Sequence, residues 1–290
     1  MIVVRPRVLL LESIDEAARA ELDADAVVVE SAAPDEAAGC AAAATGPVHA
    51  IITRGRGQVT ASLFEACPDA QVVARCGVGL DNVDLDAATA RGVTVLNLPG
   101  SNAGTVAEHA IMLMLALRRG LVDWALRVRA GGWSQRGEYA CDELRGATLG
   151  VVGLGRIGHR VARLAAMFEM QVAYADVAER DVAWPRVALA ELLATSDVLT
   201  LHCQLDDDTR GMIDAAAFAA MKRGAILVNT ARGPLVDHGA LRAAVATGHL
   251  GGYGADVLDG APPAPDDPLL RCDNVIITPH VSSLTRTTYR

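Results

Sequence analysis

Short apolar runs recur along the chain, and between them lie longer stretches whose apolar residues return at helical spacing. Runs at 8–11, 26–29, 48–52, 71–74 and 93–96 read as strands, with alanine-rich or amphipathic helices between them. A second set runs through 148–152, 171–175, 198–201, 225–229, 252–256 and 275–278. Strand–helix alternation from end to end predicts an α/β protein with two doubly wound parallel-sheet domains, because parallel neighbours need crossover helices. The sets are divided by the turn-rich Asn97-Leu98-Pro99-Gly100-Ser101-Asn102, which reads as a hinge. A long helix follows, with Val106, Ala110, Leu113, Met114 and Leu117 on its apolar face. The proline-rich stretch 261–268 reads as a surface loop, since its prolines exclude a central strand or helix.

The second set opens on a glycine pattern with chemical meaning. Gly153-Leu154-Gly155-Arg156-Ile157-Gly158 follows the run 148–152 and begins a helical pattern, and Asp176 closes the next strand. In a dinucleotide-binding turn the first glycine permits a tight strand-to-helix bend, the second lets backbone approach a pyrophosphate, and the third allows close helix–strand packing. Pyrophosphate then sits at the helix N-terminus, with Arg156 and Ile157 in the first turn. Asp176 can accept hydrogen bonds from ribose hydroxyls and repels a 2′-phosphate, which favours NAD over NADP. Six strands after the hinge match the number in a Rossmann sheet.

Composition narrows the function classes. At 290 residues the chain suits two domains, and 51% hydrophobic against 21% charged residues describes a globular protein with ample core. A net charge of -9 argues against nucleic acid or an anionic membrane as partner. The six cysteines form no CxxC pair and show no metal-ligand spacing, so reduced thiols, a cytoplasmic location and no metal are expected. The apolar start is too short for a signal peptide, and no apolar stretch reaches the ~18 residues of a membrane span. The remaining histidines are scattered, and Glu108-His109 on the long helix reads as helix surface or a dimer contact.

Four strings, in order, resemble the NAD-dependent D-2-hydroxyacid dehydrogenases, with most likeness to their 3-phosphoglycerate branch. They are Gly77-Val78-Gly79-Leu80-Asp81-Asn82-Val83-Asp84, the glycine turn with its strand, Asn229-Thr230-Ala231-Arg232-Gly233-Pro234-Leu235-Val236-Asp237, and Thr278-Pro279-His280. The resemblance implies a flavodoxin-like substrate domain over residues 1–98, completed by 283–290, and an inserted Rossmann NAD-binding domain over 99–282. It also implies an active site in the cleft between them and a homodimer formed through the NAD domain and the long helix. Family members continue past the histidine with a helix returning to the first domain, whereas this sequence ends at Arg290. Without that helix, apolar surface on the first domain would lack cover.

Oxidising a 2-hydroxy acid needs a base poised near neutral pH and a cation for the carboxylate, and His280 and Arg232 are of the right types, each just after a strand. The resemblance makes His280 the acid/base and Arg232 the substrate anchor, with Ala231 and Asp256 in the cofactor site. Gly77, Val78 and Gly79 can offer successive N–H groups to an anion. Arg54 and Arg75, with Asn102, match residues that bind the phosphate and polar end of the substrate in the phosphoglycerate branch, so a dianionic small-molecule substrate is expected. Arg56 reads as a solvated loop charge. One departure matters: the family's glutamate partner of the histidine is Ala261 here, and its loss should lower the histidine's proton affinity and slow turnover, above all in reduction. Asp259, two residues earlier, is the nearby acid that could stand in. Hydroxypyruvate or glyoxylate reduction is the alternative activity, and a non-catalytic NAD-sensing protein the alternative class.

Overall fold

The computed structural model describes residues 5–289. The sequence readings that touch residues 1–4 and Arg290 lie outside the described residues. Two compact units are present, one running to Asn102 and completed from Arg286, the other Ala103–Thr285.

The first unit alternates strictly. Its elements are β1 (Arg7–Leu10), α1 (Glu16–Asp25), β2 (Val27–Glu30), α2 (Glu36–Ala43), β3 (Ala50–Thr53), α3 (Ala61–Ala66), β4 (Val72–Arg75), α4 (Leu85–Ala90) and β5 (Thr94–Leu96). All pairs are parallel and the order is β2-β1-β3-β4-β5, the flavodoxin-like arrangement. Aspartate or threonine side chains cap the N-termini of all four helices: Asp15, Asp35, Thr60 and Asp84 each accept a first-turn N–H. Leu9, Ile51, Leu63, Phe64 and Val73 are buried at the centre of its core.

The second unit starts with α5 (Ala103–Arg118) and α6 (Leu121–Arg129), which Gly120 separates in a left-handed conformation. The sequence pattern shows α5 alone; α6 escapes it because its apolar residues are not buried within the unit. Then come β6 (Thr148–Val152), α7 (Arg156–Met167), β7 (Gln171–Ala175), α8 (Leu189–Thr195), β8 (Val198–Leu201) and α9 (Ala215–Ala220). The unit continues with β9 (Ile226–Asn229), α10 (His238–Ala246), β10 (Gly252–Ala255) and β11 (Val275–Ile277), and α11 (Arg286–Tyr289) belongs to the first unit.

The six-stranded parallel sheet of this unit is ordered β11-β10-β9-β8-β6-β7. Its six strands are the six read in the sequence, although they do not correspond one to one with the six of a complete Rossmann sheet. Outside β7 the third Rossmann strand survives as a single parallel bridge between Tyr174 and Arg186, while β11 adds a strand at the opposite edge. Pro185, next to the bridge, has no N–H to extend a ladder. Every residue of β8, β9 and β10 is buried, as expected of parallel strands covered on both faces. Val106, Ala110, Leu113 and Met114 of α5 are buried, and Leu117 is half-buried. The stretch 261–267 is irregular, and Pro268 opens a 3-10 turn.

Candidate functional site

The glycine turn joins β6 to α7. Gly153 has φ 87°, and a Cβ there would come within 2.6 Å of the Cys203 backbone nitrogen, so neither its conformation nor its surroundings admit a side chain. A Cβ on Gly158 would collide with the Gly153 carbonyl, which is the close helix–strand contact. Around Gly155 there is open space, and as the N-cap of α7 it has no side-chain hydrogen bond to the first turn. Arg156 is exposed at the first helical position and Ile157 is half-buried against the core. The first-turn amides of a twelve-residue helix thus meet an opening that suits a pyrophosphate.

Asp176 lies just beyond β7. Its carboxylate accepts the Leu154 N–H at 2.7 Å and the Ala178 N–H at 3.0 Å, and pairs with Arg180 at 3.2 Å. Burial opposes its charge, yet those two amides and the Arg180 guanidinium hold the carboxyl below the ordinary aspartate range. It therefore stays anionic and faces the glycine turn, as a ribose acceptor must. At the same sheet edge the buried His202 Nδ1 and Thr230 Oγ1 have no hydrogen-bond partner among the described residues. Burial pushes the His202 imidazole down to about 3, so the ring is neutral. Open space at Gly155, an uncapped helix end and an anionic Asp176 fit a dinucleotide.

Two strand ends along that edge carry Arg232 and His280, the residues singled out in the sequence. At the end of β9, Asn229 is fully buried and folds its side chain back on the turn: Oδ1 accepts the Ala231 N–H at 3.0 Å, and Nδ2 donates to the Arg232 carbonyl at 2.8 Å. Ala231 is half-buried against the core. Arg232 is half-buried, its Nη1 donating to the Ala231 carbonyl at 2.7 Å. Gly233 packs against the backbone of Leu258 and Asp259 with no room for a Cβ, which brings the Arg232 turn against the loop after β10.

His280, after β11, is exposed at φ 56°, a left-handed conformation uncommon for a residue with a side chain. Its N–H is donated to the carbonyls of Asp256 and Thr278, each at 3.0 Å. Asp256 itself faces inward: its carboxylate accepts the Thr278 hydroxyl at 2.5 Å and the N–H groups of Val281 at 2.9 Å and Ser282 at 2.8 Å. Expected in the cofactor site, Asp256 fastens the turn that carries His280. Asp259 is exposed and lies by His238, its N–H 3.4 Å from the His238 Nε2. Burial pushes the His238 imidazole down, against the pull of the Asp259 charge. Of the reading of Glu108-His109 as helix surface or dimer contact, the helix-surface half is corrected for His109, whose side chain is 13% exposed and whose Nε2 lies 2.9 Å from the Thr278 hydroxyl, while Glu108 is exposed.

In the first unit, Thr53 and Arg75 are register partners at the ends of β3 and β4, so Arg54 and Arg75 leave neighbouring strands. Glu12 holds the Arg54 loop. Its Oε2 accepts the N–H groups of Arg54 at 2.8 Å, Gly55 at 2.7 Å, Arg56 at 3.1 Å and Gly57 at 3.2 Å. Burial would raise its pKa, but the four backbone donors together bring it down to about 2. Arg56 is exposed and lies 3.6 Å from the same carboxylate. The Arg75 guanidinium rests against Gly77. Burial pushes the Cys76 thiol up, while Arg54 and Arg75 pull it down, so both guanidinium groups bear on the start of the glycine turn. Gly77 donates its N–H to the Arg75 carbonyl at 2.8 Å, so of the three expected amides those of Val78 and Gly79 remain for an anion. The Val78 carbonyl accepts Asn97 Nδ2 at 2.8 Å. Asn102 stands just before α5, its Oδ1 buried without a hydrogen bond among the described residues.

Nothing in the sequence pattern singles out Glu12, Asn229 or the inward role of His109; for Asn229 the capping chemistry of an asparagine at a strand end was the available signal. Among the described residues no group of three or more His, Cys, Asp or Glu is placed to hold a metal ion, and no helix is long and apolar enough to cross a membrane.

Comparison with known proteins agrees with this geometry. Residues 111–282 match the family described as D-isomer specific 2-hydroxyacid dehydrogenase, NAD binding domain. The chain is 42% identical over 243 residues to the D-3-phosphoglycerate dehydrogenase of Archaeoglobus fulgidus, covering 82% of this chain but 46% of that protein, about half its length. It is 40% identical over 285 residues to the (S)-sulfolactate dehydrogenase of Chromohalobacter salexigens, covering 96% of this chain and 92% of that one. The crystal structure of the TT0316 protein from Thermus thermophilus matches with a TM-score of 0.92 at 36% identity, over 98% of this chain and 92% of that chain. Proteins named glyoxylate reductase and hydroxypyruvate reductase match as well. The family match over residues 111–282 and the 40% identity across 96% of the chain show that the chain belongs to the D-isomer specific 2-hydroxyacid dehydrogenase family and carries its NAD-binding domain.

Proposed function

We propose that the protein oxidises, reversibly, a D-2-hydroxy acid that bears a second anionic group, with D-3-phosphoglycerate as the favoured substrate. The observation that carries this reading is the pair Arg54 and Arg75 at neighbouring strand ends, with the Arg54 loop preorganised by Glu12. Two guanidinium groups bearing on one glycine turn suit a substrate with an anion at each end better than lactate or glyoxylate. A sulfonate has the same charge and shape demands as a phosphate end. Sulfolactate is therefore the second reading, favoured by the near-complete mutual coverage with the sulfolactate dehydrogenase.

In this reading Arg232 grips the 2-hydroxy carboxylate in its planar fork and orients the reacting carbon. His280 takes the hydroxyl proton during oxidation and returns it during reduction. Bound NAD supplies the hydride acceptor. Asp176 holds the ribose hydroxyls, the α7 amides hold the pyrophosphate, and the amides of Val78 and Gly79 complete the carboxylate site.

We also assign a second copy of the chain to the apolar face of α5 and α6, where the exposed Met112, Leu121 and Val128 line one groove. Light scattering of the purified protein at twice the monomer mass is the expected result. Six free thiols suit a reducing compartment, the cytoplasm.

The activity is tested by following NADH absorbance with NAD and, in turn, D-3-phosphoglycerate, sulfolactate, D-glycerate and D-lactate. Fastest turnover with a two-anion substrate, lowered at least about 100-fold by His280→Asn, supports the reading. Equal turnover of lactate overturns the two-anion assignment. NADH binding without turnover of any substrate overturns the dehydrogenase assignment in favour of a sensor.

A further inference from the structure

α5 turns one polar side chain toward the end of β11. His109 Nε2 lies 2.9 Å from Thr278 Oγ1 and 3.8 Å from Asp256 Oδ1, and Thr278 Oγ1 lies 2.5 Å from that same Oδ1. An ionised carboxylate only accepts, and a threonine hydroxyl has one proton. Thr278 therefore donates to Asp256 and accepts from His109, which places the His109 ring proton on Nε2. The chain of bonds runs from α5 through Thr278 to Asp256, a carboxylate with no exposed surface.

Every other bond of Asp256 at this end lands on the same short turn. Its carboxylate takes the amides of Val281 and Ser282, and its carbonyl takes the amide of His280. Thr278, His280, Val281 and Ser282 are thus all tied to one residue. The turn needs such ties, because a left-handed conformation at a non-glycine residue costs about 1 kcal/mol and persists only where its surroundings impose it. These ties reach His280 through the backbone of its turn.

We propose that His109 is a positioning residue of this enzyme: by donating to Thr278 it fixes the Thr278–Asp256 pair, and through that pair the conformation in which His280 is presented. The proposal rests on the reading of His280 as the acid/base. His109 touches neither substrate nor cofactor in it.

The test compares His109→Phe, which keeps a ring and removes the donor, with His109→Gln, whose side-chain N–H reaches a similar point. Three quantities are read: NADH affinity by fluorescence titration, the separate kcat and KM for the substrate, and amide hydrogen exchange at Val281 and Ser282. His109→Phe is expected to leave NADH affinity within about twofold, to speed exchange at the two amides at least about tenfold, and to lower kcat about 10- to 100-fold with little change in KM. His109→Gln is expected to restore most of both losses. Wild-type exchange and kcat in His109→Phe overturn the proposal. So does a His109→Gln protein as impaired as His109→Phe, since shape and not the donor would then matter. His280→Asn separates the two readings: if it leaves turnover unchanged, the acid/base assignment falls and kcat loses its meaning here, while exchange at Val281 and Ser282 still decides whether His109 anchors the turn.

Discussion

Two loops, one in each unit, use the same device and complete it differently. In the first unit Glu12 collects four consecutive amides, from Arg54 to Gly57, and so holds the loop that carries Arg54. In the second unit Asp256 collects the amides of Val281 and Ser282 and holds the turn that carries His280. Glu12 is held mainly by backbone, with the Thr53 hydroxyl at 3.4 Å and the Arg56 guanidinium at 3.6 Å as weaker side-chain neighbours, and its charge is stabilised by donors that do not titrate near neutral pH. Asp256 takes fewer amides and needs a hydroxyl, which in turn leans on a histidine from a distant helix. On the proposed function, an anion-binding loop only has to keep its charge in place, whereas a proton-transferring group must be set at one angle, and the second task draws in side chains from further away.

The comparison breaks most easily at Asp256. Asp256→Ala would leave two amides without their acceptor beside a buried cavity, the Thr278 hydroxyl with only the Ala255 carbonyl at 3.4 Å, and the His280 turn without its tether. The expected cost is about 2–4 kcal/mol of stability and about a 100-fold loss of kcat. Thermal melts and steady-state NADH formation measure the two. A variant that melts lower but turns over at the wild-type rate would show that the turn holds its shape without Asp256.

The contrast also marks what sequence reveals. The glycine turn, Asp176, Arg232 and His280 are legible because each stands at a fixed offset from an apolar strand, and strand ends of parallel sheets share one edge. β6 and β8 fall at the residues read from the pattern, since both faces are buried and the apolar run has sharp ends, and β7, buried only at Val172 and Tyr174, falls there too because its apolar run is equally well bounded. The supports are not legible. Glu12 follows an apolar strand and looks like the first residue of a solvated loop, yet its partner Arg54 lies 42 positions on. His109 sits within an apolar helix, and its partner Thr278 is 169 positions away. Tertiary contacts of that separation leave no periodic signature. The degenerate strand at Arg186 is hidden for a local reason, because Pro185 breaks the apolar run that would announce it.

A smaller effect is expected when a carboxylate is returned to His280. Ala261→Glu places an anion where the family resemblance implies a glutamate, and a nearby negative charge favours the imidazolium. Reduction of the 2-oxo acid, which needs that proton, should quicken about three- to tenfold at neutral pH, and oxidation less. Rates measured in both directions test this. Equal acceleration in both would mean that the carboxylate only orients the ring, and no acceleration would show that the Asp256 tether already meets the need.

The smallest effect belongs to Glu12, and pH makes it visible. Glu12→Gln keeps one side-chain oxygen as an acceptor but removes the charge, so at neutral pH the loss of stability should be about 1 kcal/mol. The folded-state pKa of about 2 lies below the ordinary glutamate value of 4.5, which holds in the unfolded chain. A depressed carboxyl contributes stability that is fully present above the unfolded value and is lost as pH falls through the folded one. The gap between wild type and Glu12→Gln should therefore hold constant down to about pH 4.5 and close as pH approaches 2. Denaturant melts across that range measure it. Because the amides that Glu12 holds belong to the Arg54 loop, the same variant should raise the KM for a two-anion substrate more than it lowers kcat, the opposite split from that expected of His109→Phe.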